Sequence, residues 1–124
     1  MEYIIPKSWV DATAQEKKDI ANGCGAGWKQ FDNWFARTFY KLLNKAIPDT
    51  IYGLNISQIC GWHDFDYTFL EKTKKNKDKA DRDFRHNLKV KVKDHGGRLE
   101  WLRLKRVEKY YYFVSEHGDA AFFG

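Results

Sequence analysis

Apolar and polar residues recur at a helical period along most of this chain. The clearest stretch runs from Asn55 to Leu70. There Ile56, Cys60, His63, Tyr67 and Leu70 return at steps of four, three, four and three, which is one face of an α-helix. Two members of that face, His63 and Tyr67, are polar, and a histidine in a buried stripe needs partners for its ring nitrogens. Beside it stands Asp64, with no adjacent cation. The plain alternative is a satisfied core histidine next to a solvated aspartate.

The rest of the chain reads as further helices. Residues 1–12 look irregular and contain Pro6. Thr13-Ala14-Gln15-Glu16 has the capping-box pattern and predicts a short helix from about Ala14 to Asn22. Asn22-Gly23-Cys24-Gly25-Ala26-Gly27 then places three glycines at alternate positions; a helix C-cap explains one of them, not three. Residues 28–47 predict a second helix, with Trp28, Phe31, Trp34, Phe35, Tyr40, Leu42 and Leu43 on a broad apolar face. Pro48-Asp49 ends it, and residues 50–53 read as a connector. After the central helix, capped by Asn55 or Ser57, the charged run from Glu71 to Lys79 reads as a solvated helix end with a turn near Asn76.

A further helix is expected from Asp78, with Asp81, Phe84, Leu88 and Lys91 or Val92 on its buried face. A carboxylate on an apolar stripe is costly without a partner. Two antiparallel helices joined by a short turn bring residues equidistant from the turn to one level. His63 and Asp81 are centred on residue 72, and Tyr67 and Asp81 on residue 74. Asp81 is therefore expected to accept hydrogen bonds from both His63 and Tyr67. Gly96-Gly97 breaks the chain again. A last helix, Arg98 to His117, should turn Leu99, Leu102, Val107, Tyr110, Phe113 and Val114 inward. Arg103, Lys105, Arg106 and Lys109 would form a basic flank interleaved with Trp101 and Tyr110-Tyr111-Tyr112. The tail, Asp119 to Gly124, should dock through its phenylalanines. No repeat and no long strand pattern is present, so the expected fold class is all-α, in a single domain over 1–124.

Composition narrows the function classes. A chain of 124 residues with 43% hydrophobic and 17% aromatic residues affords one real core despite 31% charged residues. The net charge of +5 suggests an anionic partner, nucleic acid or an anionic membrane surface. The basic residues are scattered and no nucleic-acid motif is present, so no nucleic acid is expected. No apolar run reaches the roughly 18 residues needed to span a bilayer. The opening residues lack the pattern of a signal peptide, which leads to the expectation of cytoplasmic synthesis or an omitted leader. The two cysteines, Cys24 and Cys60, allow one intrachain disulfide.

If those cysteines are bonded, or merely in contact, the glycine loop lies over His63 and Asp64. Carbonyl oxygens and a carboxylate, with room for water, suit a hard cation such as Ca²⁺. A histidine fixed by a carboxylate beside such a cation can activate a water next to a polarised acyl carbonyl.

These residues carry a family resemblance. Cys24-Gly25-Ala26-Gly27 resembles the C-G-x-G calcium loop of phospholipase A2. Cys60-Gly61-Trp62-His63-Asp64-Phe65-Asp66-Tyr67 resembles its C-x-x-H-D-x-x-Y catalytic helix, and Ala80-Asp81-Arg82-Asp83-Phe84 the segment with its second aspartate. The likeness covers Asn22 to Asn87, about half the chain. It implies hydrolysis of the sn-2 ester of a glycerophospholipid, with Ca²⁺ as cofactor and a phospholipid membrane surface as partner. It implies His63 as general base, Asp81 orienting it, and Tyr67 bonded to Asp81. It implies Ca²⁺ held by Asp64 and the carbonyls of Gly23, Gly25 and Gly27, and a Cys24–Cys60 disulfide. The chain departs from the secreted members. It has one cysteine pair, lacks the β-hairpin between the catalytic helices, carries Asp66 where those enzymes have a cysteine, and inserts residues 28–47. In these respects it looks more like the small phage, bacterial and parvoviral domains, and so a phage- or virion-associated setting is the other expectation. The alternative is a catalytically silent phospholipase-like module that binds membranes or a protein partner.

Overall fold

The computed structural model describes residues 2–20 and 50–123. The glycine loop with Gly23, Cys24, Gly25 and Gly27, the helix expected over 28–47 and its end at Pro48-Asp49 lie outside these residues. Within them the order is α1 (Lys7–Asp11), α2 (Ala14–Ile20), β1 (Thr50–Ile51), β2 (Leu54–Asn55), α3 (Ser57–Phe69), α4 (Lys74–His95), α5 (Glu100–His117) and α6 (Asp119–Phe123). The described chain is mostly helical, in keeping with the all-α expectation, with one two-stranded sheet added.

The N-terminal residues are not wholly irregular. Pro6, with φ −61°, stands at the N-cap of α1, and its carbonyl accepts from Trp9 and Val10 at 3.1 and 3.2 Å. Proline costs a helix nothing there, because its missing N–H would be unpaired anyway. The capping box forms: Glu16 N donates to Thr13 Oγ1 at 3.1 Å and Thr13 N to Glu16 Oε1 at 3.0 Å.

The expected connector at 50–53 is a hairpin. Ile51 pairs with Leu54, and Tyr52 and Gly53 take φ of 46° and 83° at the turn. Two consecutive positive φ values are what a tight two-residue hairpin needs. Tyr52 holds this unusual conformation while bound from outside. Arg103 donates to its carbonyl at 2.7 Å, and Arg106 donates to its hydroxyl at 2.8 Å. Arg103 also donates to Ile51 O at 3.0 Å and is buried, so it does not belong to the expected basic flank.

α3 begins at Ser57, whose N–H and hydroxyl both donate to Asn55 Oδ1. It crosses to α4 through residues 70–73. α4 begins at Lys74, four residues before the expected start, because Thr73 is a good N-cap: its hydroxyl oxygen accepts from Asn76 N at 3.2 Å. Asn76 thus lies in the first turn of a helix rather than in a loop. Gly96 and Gly97, at φ 64° and 86°, end α4. Leu99 stays exposed rather than inward, since it lies in that turn before α5.

The core joins α3, α4 and α5 through Ile56, Ile59, Phe84, Leu88, Val92, Val107 and Val114, closed by Phe122 from α6. Burial of each large member contributes about 1.5–3 kcal/mol. α3 is buried on every side from Ile59 to Tyr67, not on one face alone, and Tyr3 and Trp9 each meet the Trp62 ring edge-on. The N-terminal segment is held by Asn87 of α4. Its amide oxygen accepts from Ile4 N at 2.7 Å and its amide nitrogen donates to Ile4 O at 2.9 Å. No helix among the described residues is long and apolar enough to cross a membrane.

Candidate active site

The antiparallel pair α3 and α4 places His63, Tyr67 and Asp81 together. His63 Nε2 is 2.9 Å from Asp81 Oδ1, and the Tyr67 hydroxyl donates to the same oxygen at 2.7 Å. Phe84, one turn beyond Asp81, stacks on the imidazole with centroids 4.5 Å apart. All four side chains are buried.

Treating Glu71 to Lys79 as solvated misses the fourth polar member of the cluster. Lys77 is 3% exposed and donates to Asp81 Oδ2 at 2.8 Å, to Val114 O at 3.1 Å and to Ser115 O at 3.2 Å. The available signal is its spacing: Lys77 and Asp81 are an i,i+4 pair on one helix face.

These contacts decide the charge of Asp81. Burial alone would push its carboxyl up. The hydrogen bond and charge attraction of His63, with the hydrogen bonds from Lys77 and Tyr67, outweigh that effect and hold it below the ordinary carboxylate value. An ionised carboxylate can only accept, so the proton on the His63–Asp81 bond belongs to Nε2. The lone pair is then on Nδ1, which makes no hydrogen bond among the described residues.

Asp64 is not the solvated aspartate of the plain alternative. It is 5% exposed, and Oδ2 has no hydrogen-bond partner among the described residues. Burial pushes its carboxyl well above the ordinary value, with no donor or cation to offset it. An orphaned buried carboxylate oxygen suits a cation. Among the described residues no three His, Cys, Asp or Glu side chains cluster as a metal site. The expected ligand set has one carboxylate, Asp64; its other members are carbonyls of Gly23, Gly25 and Gly27, outside the described residues.

Cys60 lies on α3 one turn before His63, buried, and it is not a free cysteine. Its expected partner, Cys24, lies outside the described residues. Asp66 is also buried; burial pushes its carboxyl up to about 6, with Asp83 adding to the rise and His63 and Lys79 opposing it.

The arrangement can do one piece of chemistry directly. A neutral imidazole, held by an ionised carboxylate at Nε2, presents Nδ1 as a base. The next residue along the helix carries a buried carboxylate oxygen with no donor among the described residues. No protein-family model, curated protein or solved structure matches this chain.

Proposed function

We propose that the chain is a Ca²⁺-dependent, phospholipase A2-like hydrolase that cleaves the sn-2 acyl ester of glycerophospholipids. The observation that supports it best is the pairing of two unlike carboxylates around one histidine. Asp81 has donors on both oxygens and orients His63, and Asp64 is buried with an oxygen that has no donor among the described residues.

His63 Nδ1 takes a proton from water as the water oxygen attacks the ester carbonyl. Asp81 keeps the proton on Nε2 and stabilises the imidazolium that forms. The imidazolium then gives its Nδ1 proton to the departing alkoxide, leaving a free fatty acid, a lysophospholipid and neutral His63. Tyr67 holds Asp81 in place through this cycle. A bound Ca²⁺ would supply positive charge against the oxyanion of the attacked carbonyl. Asp64 and the carbonyls of Gly23, Gly25 and Gly27 would hold it.

The substrate implies a phospholipid membrane surface as partner. Trp101, 58% exposed with Lys105 over its ring, and the exposed Tyr112 suit such an interface.

The test is a liposome assay scored for fatty acid and lysophospholipid, with Ca²⁺ and with chelator. Equimolar products that disappear with chelator are expected. Vesicle binding without hydrolysis under both conditions would replace this reading with the silent module.

A further inference from the structure

We propose that Lys77 is a positioning residue: its ammonium locks the Asp81 carboxylate in the orientation that holds His63, and anchors it to the corner between α5 and α6. The inference rests on the reading of His63 as general base.

A carboxylate turns about a broad, nearly two-fold torsion, so a bond to one oxygen does not fix it. In this site the two oxygens have different partners. Oδ1 accepts from His63 and Tyr67, and Oδ2 accepts from Lys77. Turning the carboxylate out of its plane would strain bonds on both oxygens at once.

Lys77 is itself held. An ammonium has three protons, and three acceptors surround this one: Asp81 Oδ2, Val114 O and Ser115 O. The two carbonyls belong to the last turns of α5, where a cation is favoured. Asp119, at the start of α6, adds a longer ion pair at 3.4 Å.

The same corner also places Tyr67. Gly118 joins α5 to α6, and a Cβ there would stand 2.5 Å from the Tyr67 hydroxyl. Phe122 sets its ring against the edge of Tyr67 at 5.2 Å. Two of the three donors on Asp81 are therefore set by a segment more than 30 residues further along the chain. Lys77 touches no reacting atom, and its action runs through Asp81.

The test compares full-length wild type with Lys77→Met, which keeps the stem of the side chain and removes the ammonium. The expected result is a fall in kcat of about 10–100-fold, the scale of a misplaced catalytic group, with KM nearly unchanged. The hydrogen-bonded Nε2–H proton resonance of His63 should also shift or broaden. Unchanged kcat and an unchanged resonance in a folded variant would overturn the proposal.

If Lys77→Met does not fold, the wild type decides. The Lys77 ammonium should give a nitrogen-correlated proton signal protected from exchange with water. An ammonium exchanging as fast as those of surface lysines would overturn the proposal. A wild type that hydrolyses no phospholipid defeats the hydrolase reading alone. The His63 and Lys77 resonances then still decide whether Lys77 fixes the pair.

Discussion

Asp81 and Asp64 are buried to nearly the same degree, at 1% and 5% exposure, and their surroundings are opposite. Asp81 has donors on both oxygens, from His63, Tyr67 and Lys77. Asp64 has an oxygen with no donor among the described residues. Burial costs both of them. At Asp81 the bonds outweigh the cost, and the carboxyl stays below its ordinary value. At Asp64 nothing among the described residues offsets it, and the carboxyl rises. The difference separates a carboxylate bonded within α3, α4 and the corner of α5 from one whose oxygen has no donor among the described residues. On the proposed reading the first holds the base and the second holds Ca²⁺.

Four variants break or sharpen this contrast. The largest effect is expected from His63→Gln, which removes the base that Asp81 serves. Hydrolysis should fall by about 10²–10⁴-fold while Ca²⁺ affinity, followed by calorimetric titration, is kept. Near-wild-type activity would end the general-base mechanism whatever the fold.

Next comes Asp81→Ala. It leaves the Lys77 ammonium buried without its carboxylate, and loss of one partner of such a pair costs about 3–5 kcal/mol. A urea unfolding series measures it. A loss near zero would mean that the satisfied site is no more important to the fold than the orphaned one.

Asp64→Asn should act in the opposite direction. In chelator at neutral pH the variant should be more stable than wild type, because the amide removes the buried charge while keeping the shape of the side chain, and Ca²⁺ should no longer raise its melting temperature. The pH dependence follows from the shift. The folded carboxyl of Asp64 lies above its unfolded value, so the penalty is full above the folded value and vanishes as the pH falls to the unfolded one. The gain from Asp64→Asn should therefore disappear in acid. Asp81 has the opposite sign: its stabilisation is present above the unfolded carboxyl value and is lost as the pH falls through the lowered folded value. An Asp64→Asn variant less stable than wild type in chelator would contradict the contrast.

The smallest effect is expected from Tyr67→Phe, which removes one of the donors on Asp81 and leaves the others. It should cost about 0.5–1.5 kcal/mol, read as a shift in the urea midpoint. A loss as large as that of Asp81→Ala would mean that Tyr67, not Lys77, carries the weight of the network.

The pairing across α3 and α4 was legible because two periodicities and one short turn suffice to set which residues are level. His63, Tyr67 and Asp81 sit on their apolar stripes, and polar residues on such stripes have to find one another. Lys77 was not legible from composition. A lysine within a charged run is solvated by default, and only the Asp81 carboxylate and the carbonyls of Val114 and Ser115 at the far end of α5 make the interior acceptable to it. Arg103 shows the same limit: its helix face looks basic until the hairpin carbonyls of Ile51 and Tyr52 arrive. That hairpin was hidden because Tyr52, rather than asparagine or glycine, takes the positive φ. The burial of Asp64 was hidden because α3 has neighbours on every side. The amphipathic pattern of a helix reports one buried face and is silent when all faces are covered.

The two-point grip of Asn87 on Ile4 bears on the order in which the molecule assembles. It joins residues 83 apart in the chain, whereas the Tyr67–Asp81 bond joins residues 14 apart. Loop closure over the longer span costs about 1.5 kcal/mol more entropy. Contacts close in sequence cost less loop-closure entropy than distant ones, so α3 and α4 are expected to meet first and the N-terminal segment to close over Trp62 afterwards. The bond between histidine and aspartate is thus a product of local folding. The enclosure around it comes later, laid down by the opposite end of the described chain.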